Sequence, residues 1–174
     1  MSAVLDCNIS FIGGGNMAQA LIGGLIARGL APTRITVSDP VEGVRDLLAE
    51  KGVQVTTDNA AAVLVADVVV FAVKPQVLSQ VLKPLHGLCD GKLIVSIVAG
   101  AEVATIANLL GTERVVRVMP NTPALVQIGA HGLFANEAMN QADRDLASQI
   151  LAATGLTIWV PVESQIDAVT AVSG

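Results

Sequence analysis

The sequence predicts an α/β fold, a doubly wound and mostly parallel sheet with helices on both faces. Three observations carry this. Short apolar blocks rich in β-branched residues recur along the chain, at Ile9–Ile12, Ile35–Val37, Val68–Ala72 and Leu93–Val98. Each is nearly continuous, as expected of a strand buried on both faces of a parallel sheet. Between the blocks lie segments whose apolar residues return at intervals of three and four, the spacing of a helix with one buried face. Strand and helix alternate from end to end, the pattern of an α/β domain.

Taken in order, Ile9–Ile12 is the first strand, and Ala18–Ala27 follows as a helix with Leu21, Ile22, Leu25 and Ile26 on a common side. After the strand Ile35–Val37, the segment Glu42–Lys51 carries Val44, Leu47 and Leu48 among polar residues and stops at Gly52, a helix-ending signal. Val53–Val55 is a further strand, and Asn59, after Asp58, reads only as a helix cap. The strand Val68–Ala72 runs into Pro75, which suits the first turn of the next helix. Leu93–Val98 is followed by a helix over Val103–Leu110 that stops at Gly111. The remaining strands are expected at Val115–Met119, Gly132–Phe134 and Leu156–Val160, with a helix from Gln141 to Ala153. The tail opens one more helix, with Ser164 as cap and Ile166, Val169 and Val172 at spacings of three. This helix either docks back on the domain or leads into a longer protein.

At 174 residues, 52% hydrophobic and 14% charged, the chain is one domain's length and apolar enough to bury a large core. A net charge of −5 and an aromatic content of 2% argue against a nucleic-acid partner, which would need cationic and stacking surface. Mean hydropathy is +0.64. Yet the long charge-free stretch Val118–Asn136 is broken by Pro120, Asn121, Pro123 and Gln127, so no membrane span is expected. Met1–Asn8 carries Asp6 and no basic residue, unlike a signal peptide, and a cytoplasmic location is expected. Cys7 and Cys89 have no His or Cys companions and read as free thiols without a metal.

The sharpest motif is Phe11-Ile12-Gly13-Gly14-Gly15-Asn16-Met17-Ala18, which reads strand, Gly-x-Gly-x-x-Ala, helix. Gly13 permits a tight turn, Gly15 lets backbone approach a pyrophosphate, and Ala18 lets helix and strand pack closely. The free N–H groups and positive end of the helix then face the phosphates. The fold expected is therefore Rossmann-like, with a dinucleotide as ligand. Asp39, 21 residues after Ala18, is placed to hold the adenine ribose hydroxyls of NAD, or else to cap the helix after Pro40. Ser38 could serve a 2′-phosphate instead, with Arg45 the nearest arginine beyond it, so NADH against NADPH stays open.

Lys74 ends the strand before Pro75, at the edge that borders the ligand crevice in such folds. Val98-Ala99-Gly100-Ala101 places small residues where a nicotinamide would need close backbone approach. In Arg117-Val118-Met119-Pro120-Asn121-Thr122-Pro123 two prolines stiffen a polar loop and hold Asn121 and Thr122 in a defined geometry, or form a plain turn. His86 and His131 have no partners suggesting a triad or metal site and read as structural or exposed, while Trp159 reads as core. No Ser/His/Asp arrangement or carboxylate pair emerges, and no catalytic residue is assigned.

These motifs, in this order, resemble pyrroline-5-carboxylate reductase. The resemblance runs from Phe11–Met17 through Ala72-Val73-Lys74-Pro75 and Met119-Pro120-Asn121-Thr122-Pro123-Ala124 to Ile166–Gly174, nearly the whole chain. It implies reduction of 1-pyrroline-5-carboxylate to L-proline by hydride transfer from NADPH or NADH. It implies cofactor contacts at Gly13, Gly14, Gly15, Asn16, Met17, Ser38, Asn59, Ala72, Val73, Lys74, Pro75, Ala99 and Gly100, beside Asp39 from the motif reading. Many NADPH-using relatives carry a basic residue where this chain has Asp39-Pro40. The resemblance further implies that 1–162 is the dinucleotide-binding domain and that 163–174 begins the helix leading to a helical domain. In the family that domain supplies dimerisation, most substrate contacts and the proposed proton donor, so the 174 residues are expected to bind cofactor without efficient catalysis, with Asn121 and Thr122 as the expected substrate-side loop. The full-length protein is expected to be a homo-oligomer. Two other readings remain beside it: a dehydrogenase of the 3-hydroxy acid type, and a non-enzymatic nucleotide-binding module.

Overall fold

The computed structural model describes residues 5–168. Its element order is β1 (Ile9–Ile12), α1 (Asn16–Ala27), β2 (Ile35–Ser38), α2 (Glu42–Ala49), β3 (Gln54–Thr56), α3 (Asn59–Leu64), β4 (Val68–Phe71), α4 (Leu78–Leu82), β5 (Leu93–Ser96), α5 (Val103–Leu110), β6 (Val115–Met119), β7 (Gly129–Ala135), α6 (Gln141–Leu151) and β8 (Gly155–Trp159). One eight-stranded sheet runs in the order β3-β2-β1-β4-β5-β6-β7-β8. The first six strands pair in parallel, β7 pairs antiparallel to β6, and β8 runs parallel to β7. The sheet is thus doubly wound and mostly parallel, and the chain reverses winding direction between β1 and β4.

The continuous apolar strands are buried on both faces, and alternate residues enter two separate cores. Phe11, Val68, Val70 and Val95 pack with α1, α2 and α6 on one side. Ile12, Val69, Phe71 and Ile94 pack with α3, α4 and α5 on the other. All four side chains of β4 are fully buried. Each such burial stabilises by about 1.5–3 kcal/mol before ordering entropy is counted. The lone polar residue of β1, Ser10, is tolerated because its hydroxyl donates to the Ala62 carbonyl at 2.7 Å.

Among the described residues the expected elements are present, with four differences. A helix occupies Asn59–Leu64, where the sequence offered only a cap at Asn59; the cap is Asp58, which accepts from the N–H groups of Ala60 and Ala61, and Asn59 is the first helical residue. Pro75 opens a 3-10 turn, α4 proper starts at Leu78, and Pro84 converts its end to another 3-10 turn. β7 begins three residues earlier than its apolar pair Leu133-Phe134 suggested. Gly129 is admitted because only a residue without Cβ fits against Ala124, whose atoms would lie 2.6–2.8 Å from one. Trp159 packs against the core only from the edge strand and is half-buried: its Nε1–H donates to Ser148 Oγ and Arg144 lies over its ring. In the tail, residues 165–168 are helical and Ile166 is fully buried; the rest of that expected helix lies outside the described residues.

Candidate functional site

At the carboxyl ends of β1, β2 and β4 the sheet opens into a cleft of about 840 Å³. It lies over the β1/β4 switch point, where ligands bind in open α/β sheets. Gly13, Gly15, Ser38, Asp39, Asn59, Ala72, Val73 and Lys74 line it, joined by Pro40, Val41, Val77 and Val81.

The three glycines do different work. Gly13 has φ +99°, and a Cβ there would sit 2.6 Å from the Ala72 carbonyl oxygen, so both its turn and the β1–β4 contact need glycine. A Cβ on Gly14 would meet Val44, Leu48 and Val37 at 2.7–3.2 Å. Gly14 therefore faces the core beneath α2 and does not line the cleft. Around Gly15 the space is open, with nothing within 4 Å of a Cβ. Gly15 is also the N-cap of α1, and no side chain caps that helix or places an acid in its first turn. Its leading amides are left for a ligand. Asn16 and Met17 form this first turn, and Ala18 is buried against the sheet as the motif requires.

Asp39 has both oxygens engaged. Oδ2 accepts from the Gly14 N–H and Oδ1 from the Val41 N–H, each at 2.8 Å. It is not a helix cap: the N-cap of α2 is Val41, which has no side-chain cap bond. Asp39 ties the glycine loop to the turn after β2, and Arg45 donates to its carbonyl at 2.8 Å. Ser38 Oγ donates to Asn59 Oδ1 at 2.7 Å, placing both polar groups on the cleft wall. Asn59 had no motif of its own; its signal lies in a partner 21 residues away. Lys74 is exposed at the rim and takes part in none of the ion pairs among the described residues.

Pro75 begins the turn behind Lys74 and does not line the cleft. Ala99 and Gly100 form an exposed turn after β5, the neighbour of β4, with Gly100 at φ +72° and open space around it. Asn121 is buried, and its Oδ1 accepts from the Ala130 N–H at 2.9 Å, pinning the start of β7; Thr122 is exposed beside it. Neither lines the cleft. Among the described residues no group of His, Cys, Asp and Glu is arranged to hold a metal ion. Cys7 and Cys89 are buried free thiols, and burial pushes Cys89 up to about 11, which makes it inert as a nucleophile at neutral pH. His86 is exposed. His131 is fully buried, and burial lowers its pKa to about 4.

A family model described as NADP oxidoreductase coenzyme F420-dependent matches residues 8–100. A pyrroline-5-carboxylate reductase of Pseudomonas aeruginosa is 50% identical over 169 residues, which are 95% of this chain and 62% of that protein. Among solved structures, a pyrroline-5-carboxylate reductase from Coxiella burnetii superposes with a TM-score of 0.92 at 44% identity, over 97% of this chain and 64% of that one. A Plasmodium falciparum pyrroline carboxylate reductase solved with NADP bound gives 0.86 at 26% identity, over 99% of this chain and 64% of that one. The chain spans a little over three-fifths of the length of the curated relatives it matches first.

Proposed function

The chain belongs to the family described as NADP oxidoreductase coenzyme F420-dependent, and we propose that it is the cofactor-binding part of a pyrroline-5-carboxylate reductase. The observation that carries the binding site is the glycine cradle. Space at Gly15 and the uncapped end of α1 face one cleft, and Lys74 stands at its rim. A pyrophosphate meets those requirements: it needs close backbone approach, N–H donors and a cation. The identity of the relatives supports the substrate, 1-pyrroline-5-carboxylate, and the product, proline.

In this reading Gly13, Gly15 and the first turn of α1, including Asn16 and Met17, hold the pyrophosphate. Ser38, Asp39 and Asn59 border the adenosine ribose. Asp39 keeps unused lone pairs beyond its two backbone partners and can accept from a ribose hydroxyl. The same charge repels a 2′-phosphate, while Ser38 and Arg45 favour one, so the site accommodates NADH or NADPH. Ala72, Val73 and Lys74 carry the ligand toward the turn Ala99–Gly100, where small residues admit a nicotinamide. A reduced nicotinamide, when bound, supplies hydride to the imine carbon. The chain's own residues orient it and cover one of its sides.

The imine must also be held by its carboxylate and kept protonated at nitrogen. The groups for this belong to the part of the relatives' length that this chain does not span, and 163–168 is the start of the path toward it. Asn121 and Thr122 stand at the substrate side. Assembly into a homo-oligomer and a cytoplasmic location belong to the same reading; no described helix is long and apolar enough to cross a membrane. The test is steady-state NADPH oxidation with 1-pyrroline-5-carboxylate, comparing the 174-residue chain with the Pseudomonas aeruginosa relative at equal concentration. Saturable cofactor binding with turnover far below the relative's is expected, because rate comes from contacts to the reacting imine. Comparable turnover would place those contacts within these residues and overturn the division of roles.

A further inference from the structure

Arg117 is a charge inside the fold. It sits in β6 with only 4% of its side chain exposed, yet it borders neither the cleft nor the expected ligand path. Its Nη2 donates to Asp167 Oδ1 at 2.8 Å, and its Nη1 lies 3.4 Å from Glu163 Oε1. The same Glu163 oxygen accepts from the Val103 N–H at 2.8 Å. That amide opens α5, whose N-cap Glu102 makes no side-chain cap bond. A carboxylate more than fifty residues away thus does the capping, at the end of the helix where negative charge is favoured.

The consequence lies three residues upstream. The turn Ala99–Gly100 is anchored on one side by the Ile97 N–H, which donates to the Phe71 carbonyl at the end of β4. On the other side it is anchored by Val103. The turn itself is exposed, so these two ends set where its backbone stands. Arg117 holds Glu163, Glu163 holds Val103, and Asp167 fixes the following helical turn to the same guanidinium. Removing the arginine would leave the partly buried Glu163 and the exposed Asp167 without the cation they share.

We infer that Arg117 and Glu163 are positioning residues for the nicotinamide half of the cofactor, acting through the Ala99–Gly100 turn while touching no ligand. The inference rests on the dinucleotide reading above. It separates the two halves of the ligand: the adenosine and pyrophosphate contacts come from β1, β2 and β4, whereas the nicotinamide contact depends on a clamp built from β6 and residues 163–167.

The test compares NADPH with 2′-phospho-ADP-ribose, which lacks only the nicotinamide, by calorimetric titration of the 174-residue chain. Arg117→Met and Glu163→Ala should each lose NADPH affinity by about fivefold and keep wild-type affinity for the nicotinamide-free ligand. Glu163→Gln retains the accepting oxygen and should stay near wild type for both. If Arg117→Met fails to fold, Glu163→Ala carries the test, because Glu163 is a partly exposed residue outside the sheet. Equal loss for both ligands would mean general loosening, and unchanged affinity for both would mean the clamp does not reach the turn; either overturns the inference. A wild-type chain that binds neither ligand would instead overturn the dinucleotide reading.

Discussion

The two halves of the sheet end differently at their carboxyl edge. Over β2, β1 and β4 the chain leaves an open cleft, with Gly15 facing empty space and the α1 amides uncapped. In the β6–β8 half the same residue type closes contacts instead. A Cβ on Gly129 would stand 2.6 Å from the Ala124 Cβ, and one on Gly155 2.0 Å from the Gly129 carbonyl oxygen. Polar groups divide the same way. Ser38, Asn59 and Lys74 border the cleft, whereas Arg117 is spent on Glu163 and Asp167, and His131 on Thr154. Gly15 and Lys74 stand beside open space in the cleft, whereas Gly155 and Arg117 are closed in by neighbouring atoms of the fold.

The comparison breaks most visibly at Gly155. Gly155→Ala forces a Cβ into rigid backbone and should cost about 3 kcal/mol of stability, near the upper end for overpacking. Urea denaturation should show the lower midpoint, and the protein that remains folded should bind NADPH as wild type does. A loss of affinity without a loss of stability would mean the β7–β8 contact at Gly155 reaches the ligand.

His131 gives the next effect. The Thr154 hydroxyl donates to the Leu151 carbonyl at 3.3 Å, so it accepts from His131 Nε2–H at 2.9 Å. Nδ1 has no partner among the described residues, which fits the neutral ring. With the folded pKa lowered to about 4 by burial and an unfolded value of about 6.5, the unfolded chain binds the extra proton first. Stability is then full above pH 6.5 and falls as the pH drops toward 4, by roughly 2–3 kcal/mol from this group. Replacing the ring, as in His131→Leu, should flatten that slope in chemical denaturation at stepped pH. An unchanged slope would assign it to the carboxylates.

The smallest effect sharpens the open half. Asp39→Ala removes the charge that repels a 2′-phosphate and should shift the NADPH-to-NADH affinity ratio about threefold toward NADPH. It also frees the Gly14 N–H, so both absolute affinities should fall. A shift of the ratio toward NADH would show that the carboxylate does not face the ribose.

What the sequence disclosed follows from how local each feature is. The glycine turn was legible because strand, turn and helix start lie within about ten residues, and each glycine's requirement is set by its immediate neighbours. The sheet was legible because strands buried on both faces must be apolar without interruption. Asn59 was not, since its meaning comes from Ser38, which the fold brings to 2.7 Å across 21 residues. The Arg117 clamp joins residues 46 and 50 positions apart and uses common charged side chains that carry no motif. Trp159 is only partly core because its strand is the sheet edge, where alternate residues meet solvent, a position that a strand's own sequence does not reveal.

The central claim is that the open glycine cradle holds a dinucleotide pyrophosphate, and replacing Gly15 with Val tests it most directly. The side chain would enter space that is empty in the protein alone, so the fold should tolerate it and the thermal midpoint should stay close to wild type. Titration with NADPH, followed by cofactor fluorescence, should show affinity reduced at least about tenfold, or about 1.4 kcal/mol. A folded Gly15→Val chain that binds NADPH as tightly as wild type would contradict the account.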